Sequence, residues 1–100
     1  VKVQADADAF RLRVRSSLNK IEQQIKQLQD QIKLDKKIVA LRKNVVQEKK
    51  SQLAQGAITS TEYITELNAE SQAWLNLKIR EVRLIQAKIE YSTQKGISWN

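Results

Sequence analysis

The stretch Gln52-Leu53-Ala54-Gln55-Gly56-Ala57-Ile58-Thr59-Ser60-Thr61-Glu62-Tyr63 decides the fold. Gly56 suits the left-handed backbone position that ends a helix. Thr59 and Glu62 have the spacing of a capping box. Thr59 would cap the first N–H groups of a new helix, and Glu62 would reach back to the Thr59 N–H. Ile58 and Tyr63 then fall at the two positions of a hydrophobic staple. One helix stops here and another starts, across a turn of about residues 55–58. A turn that short makes the helices antiparallel neighbours. No proline occurs in the chain, and the only other glycine is Gly96.

Upstream, Leu18, Ile21, Ile25, Leu28 and Ile32 follow 3-4-3-4 spacing. Ile25, Ile32, Val39, Val46 and Leu53 then recur every seven residues, the mark of a left-handed coiled-coil seam. A second apolar stripe runs beside it: Leu34, Ile38, Leu41 and Val45. One partner helix takes only one narrow stripe. Either a wide face packs on one partner, or the helix touches two neighbours, as in a bundle or barrel of hairpins. The alternation Arg11-Leu12-Arg13-Val14-Arg15 fits a strand at period two, but Ala5, Ala7, Ala9 and the downstream pattern favour helix from about residue 4. A helix over about residues 4–54 would be roughly 75 Å long.

Downstream, a second helix is expected over about residues 60–95, again with two apolar rows. Leu75, Val82 and Ile89 make one; Leu77, Leu84 and Tyr91 make the other. Ile64, Leu67, Trp74, Ile79 and Ile85 fill in around them, and Trp74, seven residues after Leu67, reads as core. Gly96 reads as the stop, with Lys95 well placed against the helix dipole and residues 96–100 a loose tail. The first helix would outreach the second, so residues before about 18 would need a partner supplied elsewhere. The expected fold is all-α: one antiparallel two-helix coiled-coil hairpin over residues 1–100, with very long helices.

Composition limits what such a hairpin does. One hundred residues allow one domain, and two helices share little core. Histidine, cysteine and methionine are all absent, which removes imidazole acid–base chemistry, thiol chemistry and the usual soft metal sites. No enzyme, cofactor or metal site is expected. Glu62, Glu66 and Glu70 share a face at four-residue spacing and could in principle meet a hard cation. A solvated acidic face is the better account. No apolar run nears the roughly 20 residues needed to span a bilayer. The missing initiator methionine suggests an excised segment, though processing of the chain would look the same.

Charge is uneven. Residues 1–50 hold 13 Lys or Arg against 6 Asp or Glu, giving +7, whereas residues 51–100 hold 5 of each. Between residues 51 and 77 there is no basic residue but three acids, so a weakly acidic tip sits on a basic body. The basic body raises nucleic-acid binding, but acids interleave with the bases and Phe10 is the only aromatic residue before Tyr63. A membrane-surface helix is disfavoured for similar reasons. No nucleic-acid partner is expected.

Residues 51–91 resemble the C-terminal end of TolC-type outer-membrane efflux proteins, particularly the Bacteroidetes branch. The carrying residues are Gln52, Leu53, Gly56, Ile58, Thr59, Thr61 and the run Glu62-Tyr63-Ile64-Thr65-Glu66-Leu67-Asn68-Ala69-Glu70. Gln72-Ala73, Leu75-Asn76-Leu77, Leu84-Ile85-Gln86-Ala87-Lys88-Ile89 and Tyr91 continue the match. Residues 18–50 agree only in character. The resemblance implies a homotrimer in the full-length protein, with a β-barrel in the outer membrane and a larger α-barrel in the periplasm. This chain would be the last periplasmic hairpin of each protomer, not a channel by itself. Its tip, Gln55, Gly56, Ala57, Ile58 and Thr59, would dock a periplasmic membrane-fusion adaptor, and through it an inner-membrane pump. Acids past the turn line a constriction in that family. The first corresponds to Glu62; the second position is Thr65 here, with Glu66 beside it. Glu62 also has its capping role, which competes with the gate.

The main alternative is a structural coiled-coil interaction module that self-assembles and has no transport role. A hairpin of the adaptor itself is a further alternative, which would need β-rich flanks.

Overall fold

Both arms are rich in Leu, Lys, Gln, Glu and Ala, good helix formers, and neither contains proline. In the computed structural model, which describes residues 2–99, α1 spans Lys2–Ala54 and α2 spans Ser60–Trp99. No strand occurs among the described residues. The architecture is an all-α helical hairpin joined through residues 55–59.

Two boundaries differ from expectation. The Arg11–Arg15 alternation is helical, and α1 already begins at Lys2. At the other end, α2 runs through Gly96 to Trp99, so Gly96 is not a stop and residues 96–99 are not a loose tail. Asn100 lies outside the described residues. One glycine inside a helix costs only about 1 kcal/mol relative to alanine. No proline follows to forbid another turn, and Gly96 does not take the positive φ that Gly56 takes. The basic Lys95 is therefore one turn short of the helix end.

Contacts gather the chain into two units, Asp30–Glu81, and Val1–Gln29 with Val82–Asn100. In Asp30–Glu81, Ile32, Val46 and Leu77 are buried, and Val39, Leu53, Tyr63, Leu67 and Ala73 are half-buried. The shielded positions of α1 include Ile32, Asp35, Val39, Val46, Lys49 and Leu53, with Val45 and Gln52 half-buried beside them; those of α2 include Tyr63, Glu66, Glu70, Ala73, Leu77 and Arg80. Both sets keep 3-4 spacing, so a heptad seam joins the helices. The seam is partly charged. Asp35 is buried at 6% exposure and accepts a 2.7 Å bond from Arg80 Nη1. Arg42, at the next heptad position, lies 3.9 Å from Glu66.

In the other unit Ile21 and Ala87 are buried, with Leu18, Ile25, Leu28, Leu84 and Tyr91 half-buried. The Tyr91 hydroxyl donates to Glu22 Oε1 at 2.7 Å. Because α2 is longer than expected, shielding on α1 begins before residue 18. Val14 and Ser17 are half-buried and line an open groove with Gln94, Phe10 and Arg13. Residues 3–13 are exposed. None of the described side chains is completely enclosed in either unit.

Candidate assembly faces and hairpin tip

The tip is a Schellman turn. The Ala57 N–H donates to the Gln52 carbonyl at 2.9 Å, and the Gly56 N–H to the Leu53 carbonyl at 3.0 Å. These bonds satisfy carbonyls that a helix end would otherwise leave open. Gly56 has φ +73°, and a Cβ added there would meet nothing within 4 Å. Glycine is therefore required by the backbone conformation and not by crowding. Thr59 caps α2: its Oγ1 accepts the Glu62 N–H at 3.2 Å, and its carbonyl accepts the Tyr63 N–H at 3.2 Å. The reverse arm of the box, from the Thr59 N–H to the Glu62 carboxylate, is not made. The Glu62 side chain stays exposed in the first turn of α2, where a negative charge favours the helix dipole. Ile58 and Tyr63, the staple positions, are both half-buried. Gln55, Gly56, Ala57 and Thr59 are exposed, so the tip presents short side chains and accessible backbone.

The three constriction candidates stand at i, i+3 and i+4 on one side of α2 and differ in exposure. Glu62 and Thr65 lie on the outer surface, and the Thr65 hydroxyl donates to the Thr61 carbonyl at 3.0 Å. Glu66 is half-buried and turned toward Arg42 of α1. Glu70 is half-buried on the same side. Among the described residues no group of three or more carboxylates is gathered as a metal ion would need.

The second apolar stripes predicted from the sequence are largely open to solvent, although Val45, the fourth member of the α1 stripe, is half-buried. In Asp30–Glu81, Leu34 is 56% exposed, Leu41 63% and Ile38 38% on α1; Ile64, Trp74 and Leu75 are 53%, 52% and 46% exposed on α2. In the other unit Val82, Ile85 and Ile89 are likewise exposed, so of the two rows read on α2, Leu77, Leu84 and Tyr91 form the inner one. Trp74 is not core. It follows Ala73, which holds the shielded heptad position, and its ring lies on the flank under Lys78 Nζ at 5.6 Å. The accessible surface totals 7961 Å², against roughly 5,800 Å² for a globular monomer of this mass.

Two polar pairs escaped the sequence reading. Asp35 was visible as the continuation of the row Ile25, Leu28, Ile32, and Arg80 as that of Ala73, Leu77. The apolar row alone hides both. The Tyr91–Glu22 bond joins residues 69 apart and has no local signal.

No family model, curated protein or solved structure matches the chain. No helix among the described residues is long and apolar enough to cross a membrane.

Proposed function

We propose that this chain is the periplasmic hairpin of a TolC-type outer-membrane efflux channel. It serves as a stave in the wall of the exit duct and docks an adaptor through residues 55–59. The observation that carries the reading is the placement of exposed apolar residues on both helices, away from a seam that is already filled. A stave packed between neighbours needs apolar contact outside its own hairpin; a self-sufficient hairpin does not. The Schellman turn adds a rigid, short-chained tip suited to abut another protein. In this reading the full-length protein is a homotrimer of the outer membrane, and this segment stands in the periplasm. The chain performs no chemistry. An inner-membrane pump supplies the energy, and the hairpin supplies wall and docking point. Glu62 serves mainly as a helix-end charge, and Glu66 is drawn toward Arg42, so the constriction role falls less naturally on these residues than the docking role falls on the tip.

The test is a photo-crosslinking residue at Ala57 in the full-length protein in its native cells. Ala57 is exposed, so the substitution leaves the turn intact. A crosslinked band identified as a periplasmic adaptor is the expected result. No adaptor band, with control positions still crosslinking, would make the chain a structural coiled-coil module instead.

A further inference from the structure

The seam of Asp30–Glu81 carries its charges in a definite order. With Ile32 as a, the d positions of α1 are Asp35, Arg42 and Lys49. With Leu77 as a, the charged seam positions of α2 are Arg80 at d, Glu70 at a and Glu66 at d. Outward from the tip, α1 presents Lys49, Arg42 and Asp35: plus, plus, minus. In the same direction α2 presents Glu66, Glu70 and Arg80: minus, minus, plus. The two orders are complementary. Arg80 Nη1 meets Asp35 Oδ1 at 2.7 Å, and Arg42 Nη1 lies 3.9 Å from Glu66 Oε2. Asp35 is buried and Lys49, Glu66, Glu70 and Arg80 are half-buried; of the six, only Arg42 is exposed.

Apolar residues at these positions would hold two helices together at least as well, because a buried ion pair seldom adds net stability. They would not choose which helices meet. Charge does choose. An α1·α2 pair sets three bases against three acids. Two α1 helices would bring four bases and two acids to one seam, and two α2 helices four acids and two bases. Two like charges would then stay unmatched in any register, and in parallel register every charge would meet its own counterpart. Like charges forced together in a contact cost more than a matched pair returns.

We propose that these six charges select the pairing of the helices: they admit α1 against α2 and refuse a second α1 or a second α2 from another copy. Polar groups at core positions of coiled coils set register and partner in this way, at a cost in stability. The choice matters in a chain whose helices are also apolar outside the seam, where any helix with an apolar face can pack. This selection acts within the seam and is independent of the efflux reading.

Three variants of the full chain test it. One reverses α1: Asp35→Arg, Arg42→Glu and Lys49→Glu. One reverses α2: Glu66→Arg, Glu70→Lys and Arg80→Asp. The third carries both sets. Each one-helix variant should melt at least about 15 °C below the parent, and the full reversal should recover most of that loss. A change in melting alone does not show selection, so the pairing itself is read from a mixture of the two one-helix variants. The reversed α1 of one chain matches the reversed α2 of the other, and the two unaltered helices match each other. Native mass spectrometry of an equal mixture, annealed from the unfolded state, should show dimers with one of each chain well beyond random proportion. The mixture should also melt above either variant alone. One-helix variants that melt with the parent would overturn the proposal, as would a full reversal no more stable than they are. So would a mixture whose dimers form in random proportion or not at all.

Discussion

The Asp35–Arg80 pair is the one place where the seam depends on a buried charge, and its removal has a calculable effect. Asp35 is nearly enclosed, with its side chain 7% exposed, whereas the Arg80 side chain is 32% exposed. Asp35 Oδ1 takes the 2.7 Å bond, and Oδ2 is buried without a hydrogen-bond partner. Arg80→Met would leave this carboxylate with no partner. Removing one member of a fully buried pair costs about 3–5 kcal/mol. Partial exposure of Arg80 lets water reach the site and lowers the cost to about 2–3 kcal/mol. In a chain of this size that is a fall of about 10–20 °C in Tm. Asp35→Leu should cost less, about 1 kcal/mol, because the freed guanidinium can turn to solvent. The double variant Asp35→Leu with Arg80→Met should match or exceed the parent, since an apolar pair avoids desolvating two charges. Thermal and urea unfolding by circular dichroism, at one fixed chain concentration, gives all four corners of the cycle. The reasoning fails if Arg80→Met melts with the parent. It fails equally if the double variant is less stable than both single ones.

Three smaller effects follow from the turn and the Tyr91 contact. Gly56→Ala should lose about 1–2 kcal/mol from the left-handed φ alone, and Gly56→Asn less, as read from melting midpoints. Thr59→Ala should lose about 1 kcal/mol by leaving the Glu62 N–H uncapped, while Thr59→Ser keeps most of it; the same melts check this. The Tyr91 hydroxyl is raised above 10.0, first by its hydrogen bond to Glu22, then by desolvation and the Glu22 charge. A raised folded value means the contact stabilises fully below the unfolded value, near 10, and is lost as pH climbs through the folded one. Tyrosinate absorbance in a Tyr63→Phe background should therefore show late titration, brought earlier by Glu22→Gln.

Much of this fold is written in spacing. Gly56 and Thr59 announce a helix end and a helix start because each needs a residue type that few others can replace. The row Ile25, Ile32, Val39, Val46 and Leu53 announces the seam because supercoiling requires a strict seven-residue repeat. The second stripe was legible as well, but not its fate, because a stripe looks the same whether covered by its own hairpin or left open. The C-terminal boundary was missed because a glycine ends a helix only where the chain takes a positive φ, and that choice is not local to Gly96. Trp74 was misplaced because the seven-residue step from Leu67 reads as a seam repeat, whereas the shielded heptad position there belongs to Ala73. Asp35 and Arg80 were overlooked because attention to apolar residues skips the seam positions filled by charge. At the tip, the residues of the docking candidate are adjacent in sequence and needed no folding to be found. The Glu62, Thr65 and Glu66 set shares one side of α2 by its spacing, but which of the three would be shielded by α1 was not legible, and it is Glu66.

The central claim is that neighbouring helices cover both outer stripes in the assembled protein. Cysteines at Leu41, Trp74 and Lys43, placed singly in the full-length protein in its native cells, test it through their rates of reaction with a small polar maleimide. Lys43 is exposed on the flank of α1 that does not carry Leu34, Ile38 and Leu41, and serves as the reference. The account predicts that Leu41→Cys and Trp74→Cys react at least tenfold more slowly than Lys43→Cys. Equal rates at all three sites would mean that the stripes face water in the cell and that the hairpin does not stand between neighbours.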